Sequence, residues 1–142
     1  MAIDQSRKRR CAPQVESLET LRLPSASVVS GIWTIQGTKA ADALSVDRDP
    51  NHVGMLRAYR NGRLVASRSE SSVQEIRLAG LGGNDTLRII ERHGAITTKA
   101  VLLGGGGKNR LVGGSGPTVL DGGPTKSSIL QVGTGPTTLS RG

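Results

Sequence analysis

A glycine-led unit of nine residues, repeated through the last third of the chain, constrains the fold more than any other feature. The units are Gly104–Val112, Gly113–Asp121 and Gly122–Leu130 and, after one inserted residue (Gln131), Val132–Ser140. An apolar residue returns at the eighth place of each: Leu111, Leu120, Ile129 and Leu139. Gly80–Arg88 is an earlier unit with Leu87 at that place, and Gly37–Ser45 is a fainter one with Leu44. Glycines permit tight turns with backbone angles barred to other residues. A disordered Gly/Ser/Thr/Pro-rich tail has no reason to keep an apolar residue at a fixed step, so the spacing predicts ordered structure.

The spacing resembles the nonapeptide Gly-Gly-x-Gly-x-Asp-x-U-x (U apolar) of haemolysin-type, or RTX, calcium-binding repeat proteins of bacterial surface and secreted type. The resemblance covers 80–88 and 104–140 and extends faintly to 37–45. It implies an all-β fold: a right-handed parallel β-roll or β-solenoid, each unit ending in a short strand whose middle side chain points inward. Two units would make one coil, and stacked coils would bury a stripe of Leu and Ile. In that family the Asp at the sixth place and the carbonyls of neighbouring turns hold Ca²⁺. Here the sixth place is Asp85 in the earlier unit, Asp42 in the faint one, and Asn109, Thr118, Ser127 and Thr137 in the array. The ion wants six to eight oxygens, carboxylates among them, so most of the array has lost this chemistry. The resemblance therefore implies one or two weak structural calcium sites, the best candidate being the turn at 80–87. Asp85 would supply the carboxylate there, Gly80, Gly82 and Gly83 backbone oxygens, and Asp42 and Asn109 the neighbouring turns. The other reading of Asp85 is that it caps its own turn by accepting backbone N–H groups.

Composition agrees with a thin aliphatic core. The chain has 142 residues, enough for a single domain, and only 35% apolar residues. Phe is absent, and Trp33 and Tyr59 are the only aromatics. A lone Cys11 excludes a disulfide framework and a Cys-based zinc site. No apolar run reaches the ~18 residues of a membrane-spanning helix. Strands are expected over 28–35, 43–46, 73–78 and 86–90, and across 95–103. Asn61-Gly62, between Met55–Arg60 and Arg63–Ser67, predicts a hairpin inserted into the roll, because a type I′ turn needs positive φ at both positions.

The organisation expected is a basic, disordered, export-like segment over 1–27 and a β domain over 28–142. Arg7, Lys8, Arg9 and Arg10 form the one basic cluster, a solvated start or a polyanion-binding arm. Cys11–Ser17 is too polar for the apolar region of a secretory signal, so a standard cleaved signal is not expected. Leu18–Ala26 resembles a short N-terminal motif of large bacterial surface and secreted proteins, departing from it at Leu21 and Pro24. A helical turn over 15–23 is the alternative.

No catalytic motif stands out. Gly113–Pro117 misses the last glycine of a nucleophile elbow, and Gly107-Lys108 lacks the hydroxyl residue of a phosphate loop. Asp47–Asn51 opens like an EF-hand loop but has His52 and Ala58 where glycine and glutamate are needed. His52 and His93 are isolated. An enzyme is not expected. The net charge of +8 attracts polyanions, yet two aromatics cannot make a stacking platform for nucleic acid. The expectation is thus a non-enzymatic, extracellular or cell-surface module with calcium as cofactor. Its alternatives are a metal-free basic scaffold binding anionic polymers such as cell-surface polysaccharide, and a basic nucleic-acid-associated protein.

Overall fold

A computed structural model describes residues 26–124 and 128–140. The basic cluster Arg7–Arg10, Cys11 and the expected helical turn over 15–23 lie outside the described residues.

Two-residue turns organise the first half. The stretch expected as one strand over 28–35 is two: β1 (Ala26–Val29) and β2 (Ile32–Gln36). Ser30 and Gly31 between them have φ of 53° and 80° and reverse the chain, so Val28 faces Trp33 across an antiparallel ladder. β3 (Ala43–Arg48), β4 (Met55–Arg60) and β5 (Arg63–Ser69) follow, each antiparallel to the next. Asn61 and Gly62 take φ of 55° and 80° at the β4–β5 turn, as the Asn-Gly pair predicts. After a 3-10 turn at Glu70–Ser72 come β6 (Glu75–Ala79), β7 (Thr86–Ile89), β8 (Lys99–Leu103), β9 (Arg110–Val112), β10 (Thr118–Asp121), β11 (Ile129–Gln131) and β12 (Thr137–Ser140).

The strands form two six-stranded sheets, β11-β9-β7-β3-β4-β5 and β12-β10-β8-β6-β2-β1. Both are mixed. The first runs parallel from β3 through β7 and β9 to β11 and antiparallel beyond β3. The second runs parallel from β2 to β12 and antiparallel at β1. This corrects the expected right-handed parallel β-roll or β-solenoid: the fold is all-β, but it is a pair of mixed sheets, with no closed solenoid among the described residues. The physical reason lies in the turns. The nonapeptide pattern was extended from 104–140 to the whole domain, whereas 26–69 is joined at Ser30-Gly31 and Asn61-Gly62 by turns too short for a parallel crossover. The hairpin is likewise no insertion, since β4 and β5 complete the edge of the first sheet.

One core lies between the sheets. Ile35, Leu78, Leu102 and Leu120 are in register across the second sheet, and Leu44, Leu87 and Leu111 across the first; all are buried. Trp33, Ile76, Ala100 and Thr118 form a further row in which every side chain after the ring is smaller than it. The single tryptophan is therefore an interior residue, and a ring does enter the aliphatic core.

The eighth-place rule holds for Leu44, Leu87, Leu111 and Leu120 and then slips. Leu130, not Ile129, pairs with Leu111, and Ile129 is 59% exposed. Gly122 follows Gly104 at a step of 18, and Ser128 follows Asn109 at a step of 19. The inserted residue thus falls between 122 and 128 instead of at Gln131. Leu139 does face inward opposite Leu120, but β12 is the last strand of its sheet, which leaves the side chain 52% exposed.

Candidate cation site at the Asp85 turn

The turns that precede β3, β7, β9 and β11 stack along one edge of the molecule, and a ladder of short polar side chains joins them. The Asp42 N–H donates to Asp85 Oδ1 at 2.7 Å, the Asp85 N–H to Asn109 Oδ1 at 2.9 Å, and the Asn109 N–H to Ser128 Oγ at 3.0 Å. All four residues are buried. Strand register builds the ladder, because each rung immediately precedes a strand that pairs in parallel with the next.

The rungs differ in what their second polar atom meets. Asp42 is saturated. Its Oδ2 accepts from the Thr38 N–H at 2.6 Å and the Thr38 hydroxyl at 2.8 Å, and its Oδ1 from the Asn61 amide at 2.9 Å. Burial pushes this carboxyl up, but those donors and the nearby Arg60 outweigh it and hold it below the usual aspartate range. Asn109 Nδ2 donates into a ring of carbonyls: Gly105 at 3.1 Å, Gly106 at 3.2 Å, and Gly107 and Gly122 each at 3.4 Å. The Ser128 hydroxyl donates to the Gly122 carbonyl at 3.0 Å.

Asp85 breaks the series. Its Oδ2 is buried and has no hydrogen-bond partner. Register sets Asp85 against Asn109, and each accepts through its Oδ1 the N–H of the rung before it. Oδ2 thus takes the place of an N–H₂ donor while carrying none. It lies against the Gly80 Cα so closely that a side chain there would collide with it. Burial, opposed by the Asp42 N–H and aided by the Asp42 charge, pushes the Asp85 carboxyl up to about 6. A buried acceptor-only oxygen without a donor needs either a proton or a cation.

The six residues assigned to metal by resemblance therefore converge on one stack but have separate duties. Asp85 offers the free oxygen. Asp42 and Asn109 flank it and are spent on their own turns. Gly80 brings backbone against Oδ2, whereas Gly82 and Gly83 pack on Lys39 and Ala40 of the preceding turn, Gly83 with a φ of +82°. Among the described residues no three His, Cys, Asp or Glu side chains converge on a point. A cation here would rest on one carboxylate and backbone carbonyls. Of the sixth-place residues of the array, Thr118 and Thr137 are in register, and each hydroxyl closes its own turn on Gly116 and Gly135 at 2.9 Å. The residue that faces Asn109 is Ser128, one place after the sixth position of its unit. Sequence reasoning missed Thr38 and Asn61 as partners of Asp42. The Thr-x-x-x-Asp spacing was a usable signal for the first, and only the fold supplies the second.

Elsewhere the acids have structural partners. Asp47 forms a two-pronged pair with Arg57 at 2.8 and 2.7 Å, and Glu70 one with Arg48 at 3.0 and 2.8 Å. The Glu91 carboxylate accepts the Ile96 and Ser115 N–H groups, each at 2.8 Å, and the Ser115 hydroxyl at 2.9 Å. In the stretch rejected as an EF-hand, Asp49 accepts the Asn51 N–H at 2.8 Å and lies 3.0 Å from the exposed His52. No described helix is long and apolar enough to cross a membrane. No protein-family model matches the chain, and neither a curated protein nor a solved structure matches it.

Proposed function

We propose that this chain is a non-catalytic structural and binding module, one of whose internal turns is pinned by a single calcium ion at Asp85. The observation that carries this reading is the buried, partnerless Asp85 Oδ2, set where the next rung of the ladder places a hydrogen-bond donor. Calcium suits an oxygen-only site of carbonyls and carboxylate, and a site with few charges binds it weakly, in the ~10⁻⁴–10⁻³ M range of extracellular modules. That range fits a place of work at a cell surface or outside the cell. The ion would hold the turn before β7 to the turn before β9, a mechanical role with no substrate and no proton transfer.

The experiment is a calcium titration of thermal unfolding at pH 7.5, with magnesium as the control. The reading expects a rise in Tm that follows mass action in calcium and little response to magnesium, which demands a tighter octahedral shell. Equal responses to both ions, or none, would overturn it.

A further inference from the structure

The outward face of the first sheet carries arginines without acids to match. Strand alternation puts Leu87, Ile89 and Leu111 inside, so Arg88 of β7 and Arg110 of β9 point outward, and both are exposed. Register pairs Arg110 with Thr86, which sets Arg88 one strand over and two residues along. Strand spacing makes that diagonal about 8 Å between Cα atoms.

Two shallow clefts of about 330 Å³ each lie on this face, and Arg88 lines both. One continues over Tyr59, Arg57 and Arg92, the other over Arg110. Among the described residues the only acid lining either cleft is Asp47, which Arg57 already neutralises. Among the described residues Arg88, Arg92 and Arg110 have no carboxylate within ion-pair distance. The second sheet's outer face is the internal contrast, because Glu75 there holds Arg77 at 2.7 Å and Lys99 at 3.5 Å. Arg88, Arg92 and Arg110 thus stand side by side along these clefts without a matching acid, although Lys39, Arg60, Arg63, Arg68 and Lys108 elsewhere also lack a carboxylate partner among the described residues.

We infer that this arginine row is a docking groove for a linear acidic polysaccharide. Guanidinium forks match carboxylate and sulfate groups two bonds at a time, and a row of them across a flat sheet suits an extended, repeating polyanion. Single-stranded nucleic acid fits the face poorly. Trp33 is buried in the core, and the Arg57 guanidinium covers one side of the Tyr59 ring at 5.4 Å, so at most one ring face is left where successive bases need a series of them. The groove lies on the sheet face away from the core, and its reading is independent of any ion at Asp85.

The test uses the full chain, with and without calcium, against immobilised polygalacturonate. Heparin, oligo-dT and neutral dextran are the comparison ligands. Binding to polygalacturonate or heparin should exceed binding to oligo-dT, be absent on dextran, and weaken steeply as salt rises from about 50 to about 200 mM. The Arg88→Ser/Arg110→Ser double variant should bind at least about tenfold more weakly, since two phosphate-like contacts carry much of such affinity. Lys99→Ser, on the opposite face, should bind as the parent does. An unchanged melting temperature in each variant shows that the scaffold is intact. Equal binding by the double variant, tighter binding to oligo-dT, or no binding to either acidic polysaccharide would overturn the inference.

Discussion

Asp85 is the residue whose environment the rest of its stack does not explain. Its carboxyl holds a proton more tightly in the folded chain, at about 6, than the ordinary 3.8 of the unfolded one. A group raised in this way favours folding fully below about pH 4, and that contribution is lost as the pH rises through about 6. The full swing is on the order of 3 kcal/mol. Asp85→Asn would give the same place an amide donor, as Asn109 already has. In chelator, the variant should match the parent near pH 4 and exceed it by about 2–3 kcal/mol at pH 7.5. Urea unfolding across that range measures the difference. Asp42 and Glu91, both held low by their donors, lose stability in the opposite sense as the pH falls, and the subtraction cancels them. A pH-independent difference would show that Asp85 does not titrate in this window. Asp42→Ala should cost about 1–3 kcal/mol, because it strands the Thr38 and Asn61 donors.

The turns decide the elements. Gly105 has a φ of +75°, and a Cβ there would strike the Leu81 carbonyl of the neighbouring turn, whereas Gly106 opens onto free space. Gly105→Ala should therefore cost more than about 1 kcal/mol, and Gly106→Ala should stay within about 0.5 kcal/mol, as read by melting temperatures. Leu81 itself holds a φ of 71° in the corresponding place, so that turn keeps its shape at some strain. Much of this level was legible in the sequence. Asn61-Gly62 announced its hairpin because few other pairs accept positive φ twice, and Leu44, Leu87, Leu111 and Leu120 announced the core by their step. Ser30-Gly31 carried the same kind of signal but sat inside a β-branched run that read as continuous strand. Ile129 was misplaced because a single inserted residue turns a short strand over. The Asp85 turn was legible as a candidate, and the contrast in the second oxygen lay in the residue four places earlier, because Thr38 satisfies Asp42 Oδ2 whereas Leu81 brings no hydroxyl to Asp85. The arginine row was not legible at all, because Arg88 and Arg110 meet only through strand register.

At the scale of the whole molecule, two mixed sheets share one aliphatic core that is widest in side-chain volume at Trp33 and open at β11 and β12. Stability should follow that gradient. Leu87→Ala, in a fully buried row, should cost about 2–5 kcal/mol. Leu139→Ala, 52% exposed on the last strand, should cost under about 1 kcal/mol. Similar losses at both sites, in denaturant unfolding, would mean that the β12 end is covered in solution. The central claim is that one internal oxygen of this scaffold waits for a cation. Equilibrium dialysis against calcium at pH 7.5, with the parent and Asp85→Asn side by side, tests it most directly. The account predicts one ion per parent chain, none in the variant, and a variant that in chelator is more stable than the parent. Calcium retained by the variant, or none bound by the parent at millimolar concentration, would contradict it.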